Sequence, residues 1–209
     1  MEIVLMSRSD ENYPKSLIHL RGHNAPAAIT MIGDPTIMRC KKLGLICSVR
    51  CPGSIVLKTF DAIRDLRDAG ITVIGGFHSP MEKECLGLLL RGTAPVIICP
   101  ARNIENMRIT AEWKGPCAER RLLILSSFGS AARRVTTELA AARNEFVAVM
   151  SDALFVPHAS LGGKTEQLIK HSIQGVKPVY TVADSENAHL LASGIQPLAV
   201  ADLAKAFEA

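Results

Sequence analysis

Two glycines, a cation and a hydroxyl stand together at Gly162-Gly163-Lys164-Thr165. They lie between a short apolar run, Ala153–Val156, and a helical pattern over 165–174. The N–H groups in the first turn of a helix have no partner inside the helix, so amides, ammonium and hydroxyl in this order converge on one phosphate group. The competing reading is a plain helix cap with Thr165 as the N-cap. The segment is not a Walker A loop, because the Gly-x-x-x-x-Gly spacing is missing and no acidic strand supplies a magnesium aspartate. Upstream, Ala142-Arg143-Asn144-Glu145 reads as a polar helix start that runs through Phe146–Met150 into the Ala153–Val156 strand.

Further candidates sit where other apolar runs end. Ser48, Arg50 and Gly53 close or follow the run Leu43–Val49, and Gly75 and Gly76 follow Ile71–Ile74. Pro52 and Gly53 suit a tight turn into a helix, and the guanidinium of Arg50 has the fork geometry for phosphate oxygens. Equally, Arg50 is one of 24 lysines and arginines and could be merely solvated. Gly75-Gly76 would let the backbone approach a bound group, or serves turn geometry alone. His78 is an isolated loop histidine with no partner at metal-ligand spacing. No nucleophile, base and orienting group can be assembled from the chain, which favours a binding protein over an enzyme and leaves no cofactor or metal expected.

These residues need a scaffold that brings strand ends together. Apolar runs of strand length (43–49, 71–74, 95–99, 122–125, 153–156, 176–182) alternate with helical patterns (54–69, 81–91, 131–150, 165–174). Near-continuous apolar strands separated by helices imply a mostly parallel sheet covered on both faces, an α/β, Rossmann-like three-layer domain. In 54–69, Val56, Phe60, Ile63 and Leu66 share one helical face while Lys58, Arg64, Asp65 and Asp68 lie off it. Residues 1–40 read as a small N-terminal extension, a lid or sheet edge, with strand candidates Ile3–Met6 and Ala27–Ile32 around a polar turn at Ser7–Asn12. The main domain is expected over 41–183, and residues 184–209 as a tail packed on it, with a short helix carrying Val200, Leu203, Ala204 and Phe207.

With 209 residues, 48% of them hydrophobic, the chain has material for one sizeable α/β domain. A formal charge of +4 is compatible with an anionic ligand without demanding one. Only 4% of residues are aromatic and Trp113 is the sole tryptophan, so platforms for stacking bases are scarce. The six cysteines lack the paired spacing of a zinc site or a secreted disulfide framework, and read as reduced, mostly buried thiols. No leader and no apolar run of spanning length is evident, so the expected location is the cytoplasm, away from the membrane.

From Tyr13-Pro14 to about residue 182, the order and spacing of several segments resemble the DprA/Smf DNA-processing family, a branch of the Rossmann-like superfamily that includes the LOG nucleoside-monophosphate phosphoribohydrolases. The anchors are Ser48-Val49-Arg50 for the family's Gly-Ser-Arg, Ile74-Gly75-Gly76-Phe77 with Met81-Glu82, and Arg143-Asn144-Glu145 for the start of Arg-Asn-Arg-Ile-Ile-Ala-Gly-Leu-Ser. The resemblance implies single-stranded DNA bound through phosphate contacts, a homodimer, and a recombinase partner. Arg50, Arg143 and Lys164 would hold the strand, with Ser48, Gly53, Gly75, Gly76, Asn144, Gly162, Gly163 and Thr165 lining it. Glu145 reverses the charge of the family's second arginine and weakens the phosphate field there, and Pro157 stands where glutamate is usual. The length leaves no room for the winged-helix domain many relatives carry. Two alternatives remain open. Pro157 with Gly162-Gly163-Lys164-Thr165-Glu166 resembles the LOG loop Pro-Gly-Gly-x-Gly-Thr-x-x-Glu, which implies a nucleotide sensor or hydrolase, although Glu166 follows Thr165 by one residue instead of three. Compact relatives also serve as partners or antitoxins in toxin–antitoxin and anti-phage modules.

Overall fold

Strands with both faces apolar have to be sandwiched, and the computed structural model, which describes residues 3–21, 25–170 and 176–208, builds one nine-stranded sheet whose inner strands are of this kind. They are β1 (Ile3–Ser7), β2 (Ala28–Gly33), β3 (Lys42–Leu45), β4 (Thr72–Gly75), β5 (Val96–Ile98), β6 (Leu122–Ser126), β7 (Ala153–Val156), β8 (Val179–Thr181) and β9 (Gln196–Pro197). Their order is β1-β2-β6-β5-β4-β3-β7-β8-β9. All neighbours from β6 to β9 run parallel, while β1 and β2 add an antiparallel edge in which Thr30 faces Ser126 and Ile32 faces Ile124. The chain is therefore an α/β, Rossmann-like protein with a mostly parallel sheet.

Among the described residues, seven α-helices lie between these strands and an eighth follows β9: α1 (Lys15–Arg21), α2 (Gly53–Asp68), α3 (Pro80–Leu89), α4 (Ala111–Ala118), α5 (Thr137–Met150), α6 (Lys164–Leu168), α7 (Ala188–Ala192) and α8 (Val200–Glu208). Two layers of core follow from the strand alternation. On one face Met31, Leu123, Ile97, Ile74 and Leu154 meet Phe146 and Val147 of α5 and Leu17 of α1. On the other, Val73, Val96, Leu45 and Phe155 meet Ile55 and Ile63 of α2, Met81 and Leu89 of α3, and Leu203 of α8. Burying both faces is why these strands read as unbroken apolar runs instead of alternating ones.

Several boundaries differ from the sequence reading for local reasons. The buried stripe of α2 is Ile55, Thr59, Ile63 and Leu66, with Val56 and Phe60 on its half-buried flank. The fully buried Thr59 hydroxyl donates to the Ile55 carbonyl one turn back, 2.7 Å away, which hides a polar residue on an apolar face. Helix α4 escaped notice because Gly115-Pro116 reads as a turn, although proline lies here within the helix. Helix α5 starts at Thr137, capped by the Thr136 hydroxyl on the Leu139 N–H, so 131–136 is loop. The C-terminal end of α5 is closed by the Lys177 ammonium, which donates to the carbonyls of Ala148, Val149 and Ser151. The expected helix 165–174 is described as far as residue 170, and its last residues lie outside the described ones.

Candidate functional site

The strand order reverses between β3 and β7: β4, β5 and β6 build outward on one side, β8 and β9 on the other. In an open parallel sheet such a switch point is where crossovers leave to opposite faces, and it is the usual place of a ligand crevice at the carboxyl edge. Hydrogen bonds continue beyond the strands and tie the loops after β3 and β7 together. The Ile46 N–H donates to Phe155 O at 3.2 Å and the Ser48 N–H to His158 O at 3.0 Å. The Ser48 hydroxyl accepts from the Ser160 N–H at 3.1 Å. Ser48 thus locks the turn after β3 onto the turn after β7.

The tail braces these loops from behind. Asn187, fully buried, donates through Nδ2 to Pro157 O, Thr181 Oγ1 and Val182 O. Its Oδ1 lies 2.8 Å from Nδ1 of buried His158, so that nitrogen carries the proton. His189 Nε2 donates to Ala159 O at 2.8 Å. Sequence reasoning missed all three residues, because single polar residues without a motif leave no signal.

Among the candidates on these turns, Arg50 is exposed and Gly53 opens α2 with free space where a Cβ would stand. Gly162 has φ +70°, a conformation that favours glycine, and Gly163 takes the N-cap position in place of the expected Thr165. Two amides of the turn are already engaged. The Gly163 N–H donates to Ser160 O at 2.8 Å, and the Gly162 N–H to Glu166 Oε2 at 2.6 Å. The Lys170 ammonium, 2.8 Å away, and then the Gly162 N–H hold the Glu166 carboxyl below the usual glutamate range. Among the described residues the amides of Lys164, Thr165 and Glu166 have no hydrogen-bond partner and the exposed Lys164 makes no ion pair, while Thr165 and Glu166 are buried. Val49 and Leu161 flank the same turns with 73% and 76% of their surface exposed, apolar groups that sequence reasoning did not single out.

Gly75, Gly76, Arg143 and Asn144 form a different layer. A Cβ on Gly76 would lie 1.3 Å from an Arg143 guanidinium nitrogen, so the room left by this glycine is taken by the protein's own cation. A Cβ on Gly75 would press on Phe77 and Leu45 O. Arg143 lies in the middle of α5, not at a polar helix start, and is only 4% exposed. Its guanidinium donates to Cys99 O at 3.4 Å, while its buried Nε has no partner. Burial pulls its pKa down and the Glu82 carboxylate opposes the shift. Glu82, itself buried, accepts from the N–H groups of Cys47 (3.1 Å), His78 (2.9 Å) and Ser79 (3.1 Å), bridging the exits of β3 and β4. Ser79 and Glu82 form a capping box at α3, a pattern readable as Ser79-Pro80-Met81-Glu82. Asn144 is half-buried, and Glu145 is half-buried with an interaction of its own.

Beside this layer, the neighbouring Cys51 thiol and then burial raise the pKa of Cys47, while the Cys47 thiol lowers that of half-buried Cys51. Burial pushes Cys85 and Cys99 up to about 12. No group of three or more histidine, cysteine or acidic residues able to hold a metal ion occurs among the described residues, and no described helix is long and apolar enough to cross a membrane.

A model of the DNA recombination-mediator protein A family matches residues 4–208. No curated protein matches the chain by sequence. Among solved structures, DNA processing protein A from Streptococcus pneumoniae superposes with a TM-score of 0.75 at 15% identity, over 95% of this chain and 71% of that one. DNA processing protein A from Helicobacter pylori, described for its single-stranded DNA binding mode, gives 0.76 at 18% identity, over 99% and 95%. The molybdenum cofactor carrier protein of Chlamydomonas reinhardtii gives 0.51 at 15% identity, over 81% and 97%. At these identities the likenesses bear on the fold.

Proposed function

The chain belongs to the DNA recombination-mediator protein A family, and from that premise we propose that it binds single-stranded DNA, without catalysing a reaction, through backbone phosphates at the carboxyl edge of its sheet. The observation that carries this reading is the pair of turns locked by Ser48. Together they present two exposed cations, Arg50 and Lys164, at the N-terminal ends of α2 and α6, where no side chain caps the helix among the described residues. The Helicobacter pylori relative's single-stranded DNA binding mode supports the same ligand. With few aromatic residues on the chain, contacts fall on phosphates, and Val49 and Leu161 supply apolar surface beside them. Arg143 and Glu82 act on this edge as positioning residues, holding the exits of β3, β4 and β5 in place from below.

The test is a titration of labelled single-stranded and duplex oligonucleotides and of nucleoside monophosphates at several salt concentrations. Single-stranded DNA is expected to bind in preference, with log K falling linearly in log salt at roughly 0.7 per phosphate neutralised. Salt-insensitive binding of a mononucleotide alone would instead support the nucleotide-sensor reading. We also propose a homodimer and a recombinase partner, with exposed Ile3, Val4 and Leu5 on edge strand β1 as apolar surface open to a second copy.

A further inference from the structure

The carboxyl edge continues past the turns at β3 and β7 into a cleft of about 390 Å³ at the exits of β5 and β6, lined by Arg102, Asn103, Glu105, Met107, Ser130 and Arg133. No candidate residue of the crevice lies in it. We propose that this cleft is a second phosphate-binding site for the same strand, so that the edge forms a track running from β7 across β3, β4 and β5 to β6. The proposal rests on the single-stranded DNA reading above and gives its binding a direction and a length.

The cleft is built, not a gap between mobile loops. The buried Ser126 hydroxyl donates to Arg102 O at 2.8 Å and accepts from the Phe128 N–H at 3.2 Å. Asn103 crosses to the other loop twice, through its N–H to Ala132 O at 2.8 Å and through Nδ2 to Phe128 O at 3.3 Å. Its Oδ1 accepts from the Glu105 N–H at 2.8 Å, turning the chain so that 103–107 forms one wall. Arg102, half-buried, and Arg133, exposed, have no carboxylate partner among the described residues, although this chain pairs Arg64, Arg67, Arg120 and Arg121 with acids. Two guanidinium groups without an ion-pair partner, on a wall held by these hydrogen bonds, fit phosphate oxygens, which they meet in a forked geometry. Glu105 is the one carboxylate in the lining and opposes that charge.

Because β3 to β7 and β5 to β6 are parallel pairs of one sheet, the cleft and the crevice open on the same edge. Three strand spacings separate them, roughly 14 Å. A single extended strand reaches both, whereas a mononucleotide reaches one.

The experiment compares the parent chain with the Arg102→Ala/Arg133→Ala double variant and with Glu105→Gln, using a short oligothymidylate that covers only the crevice and a long one that covers the edge. Both variants alter side chains outside the packed core, and matched thermal unfolding controls for folding. The double variant is expected to bind the long strand about tenfold more weakly, with a salt slope reduced by about 1.4, and the short strand unchanged. Glu105→Gln is expected to tighten the long strand only. A double variant that matches the parent at both lengths, or a mononucleotide that binds the parent and is lost in the double variant without any length dependence, overturns the track while leaving the DNA reading in place. A parent chain that binds no oligonucleotide overturns both.

Discussion

Gly76→Ala should destabilise the protein strongly, and that cost should disappear in a background where Arg143 is already alanine. The backbone of Gly76 is not in the left-handed region, so alanine is conformationally acceptable and the cost is steric. A methyl group at 1.3 Å from the guanidinium nitrogen must reach an ordinary contact near 3.5 Å, which moves a buried cation by about 2 Å. That shift breaks the bond to Cys99 O, worth roughly 1.5–3 kcal/mol for a charged donor, and adds overpacking strain of about 1–3 kcal/mol. A loss near 3 kcal/mol lowers Tm by roughly 6–12 °C for a chain of this size. With Arg143 truncated to alanine the space is vacant, so Gly76→Ala in that background should cost well under 1 kcal/mol. Urea unfolding of the four chains of the cycle measures the coupling. Additivity within about 0.5 kcal/mol would refute the account, because it would mean that the glycine and the arginine do not share the space.

Other consequences reach the turns themselves. Lys164→Ala should leave stability within about 0.5 kcal/mol of the parent and reduce the salt slope for single-stranded DNA by about 0.7, read by fluorescence anisotropy; unchanged binding would make the Gly162-Gly163 turn a helix cap only. The Glu166 carboxylate, its pKa lowered by Lys170 and Gly162, contributes stability that is complete above the usual glutamate range and is lost as pH falls through the lowered value. Hydrogen exchange at the Gly162 amide should therefore be insensitive to the charge state of Glu166 near neutrality and lose protection only below that range, and loss of protection on approaching neutral pH would contradict the sign. Cys51 should be the first thiol alkylated at neutral pH and Cys85 and Cys99 the last, as peptide mass spectrometry after a short iodoacetamide pulse would show, and equal labelling of all three would refute the assigned thiol environments. Asn187→Ala should cost about 2–4 kcal/mol by leaving buried acceptors at Pro157 and Val182 unpaired, measured by denaturant unfolding.

What was legible in the chain follows from which physical signals are local. The strands at 72–75, 122–126 and 153–156 could be read because burial on both faces demands unbroken apolar runs, and the turn at Gly162-Gly163 because a positive φ asks for glycine. Helix α4 was masked by Gly115-Pro116, and the start of α5 was blurred between residue 131 and the polar trio Arg143-Asn144-Glu145, where the Thr136 cap sets it at Thr137. The braces of the crevice were not readable at all. Asn187 and Ser48 act through partners 30 and 112 residues away, and a polar residue of that kind has no periodicity to mark it.

The same contrast separates two uses of charge on one sheet edge. Arg143 and Glu82 resemble a functional pair by residue type, yet both are nearly excluded from solvent and their bonds run to backbone groups at the strand exits. An arginine that is 4% exposed has little surface to offer a polymer, and bringing a phosphate to its unpartnered Nε would require the edge to open. Arg50, Lys164, Arg102 and Arg133 stand on the outer rim and make no ion pair with a carboxylate among the described residues, with Glu105 beside the two cleft arginines. A buried cation fixed to carbonyls contributes geometry, and an unpaired cation at the rim contributes affinity that salt screens. Salt dependence should therefore sort the two groups. Substitutions at the rim should change the slope of log K against log salt, whereas Arg143→Lys should change stability and the intercept and leave the slope alone.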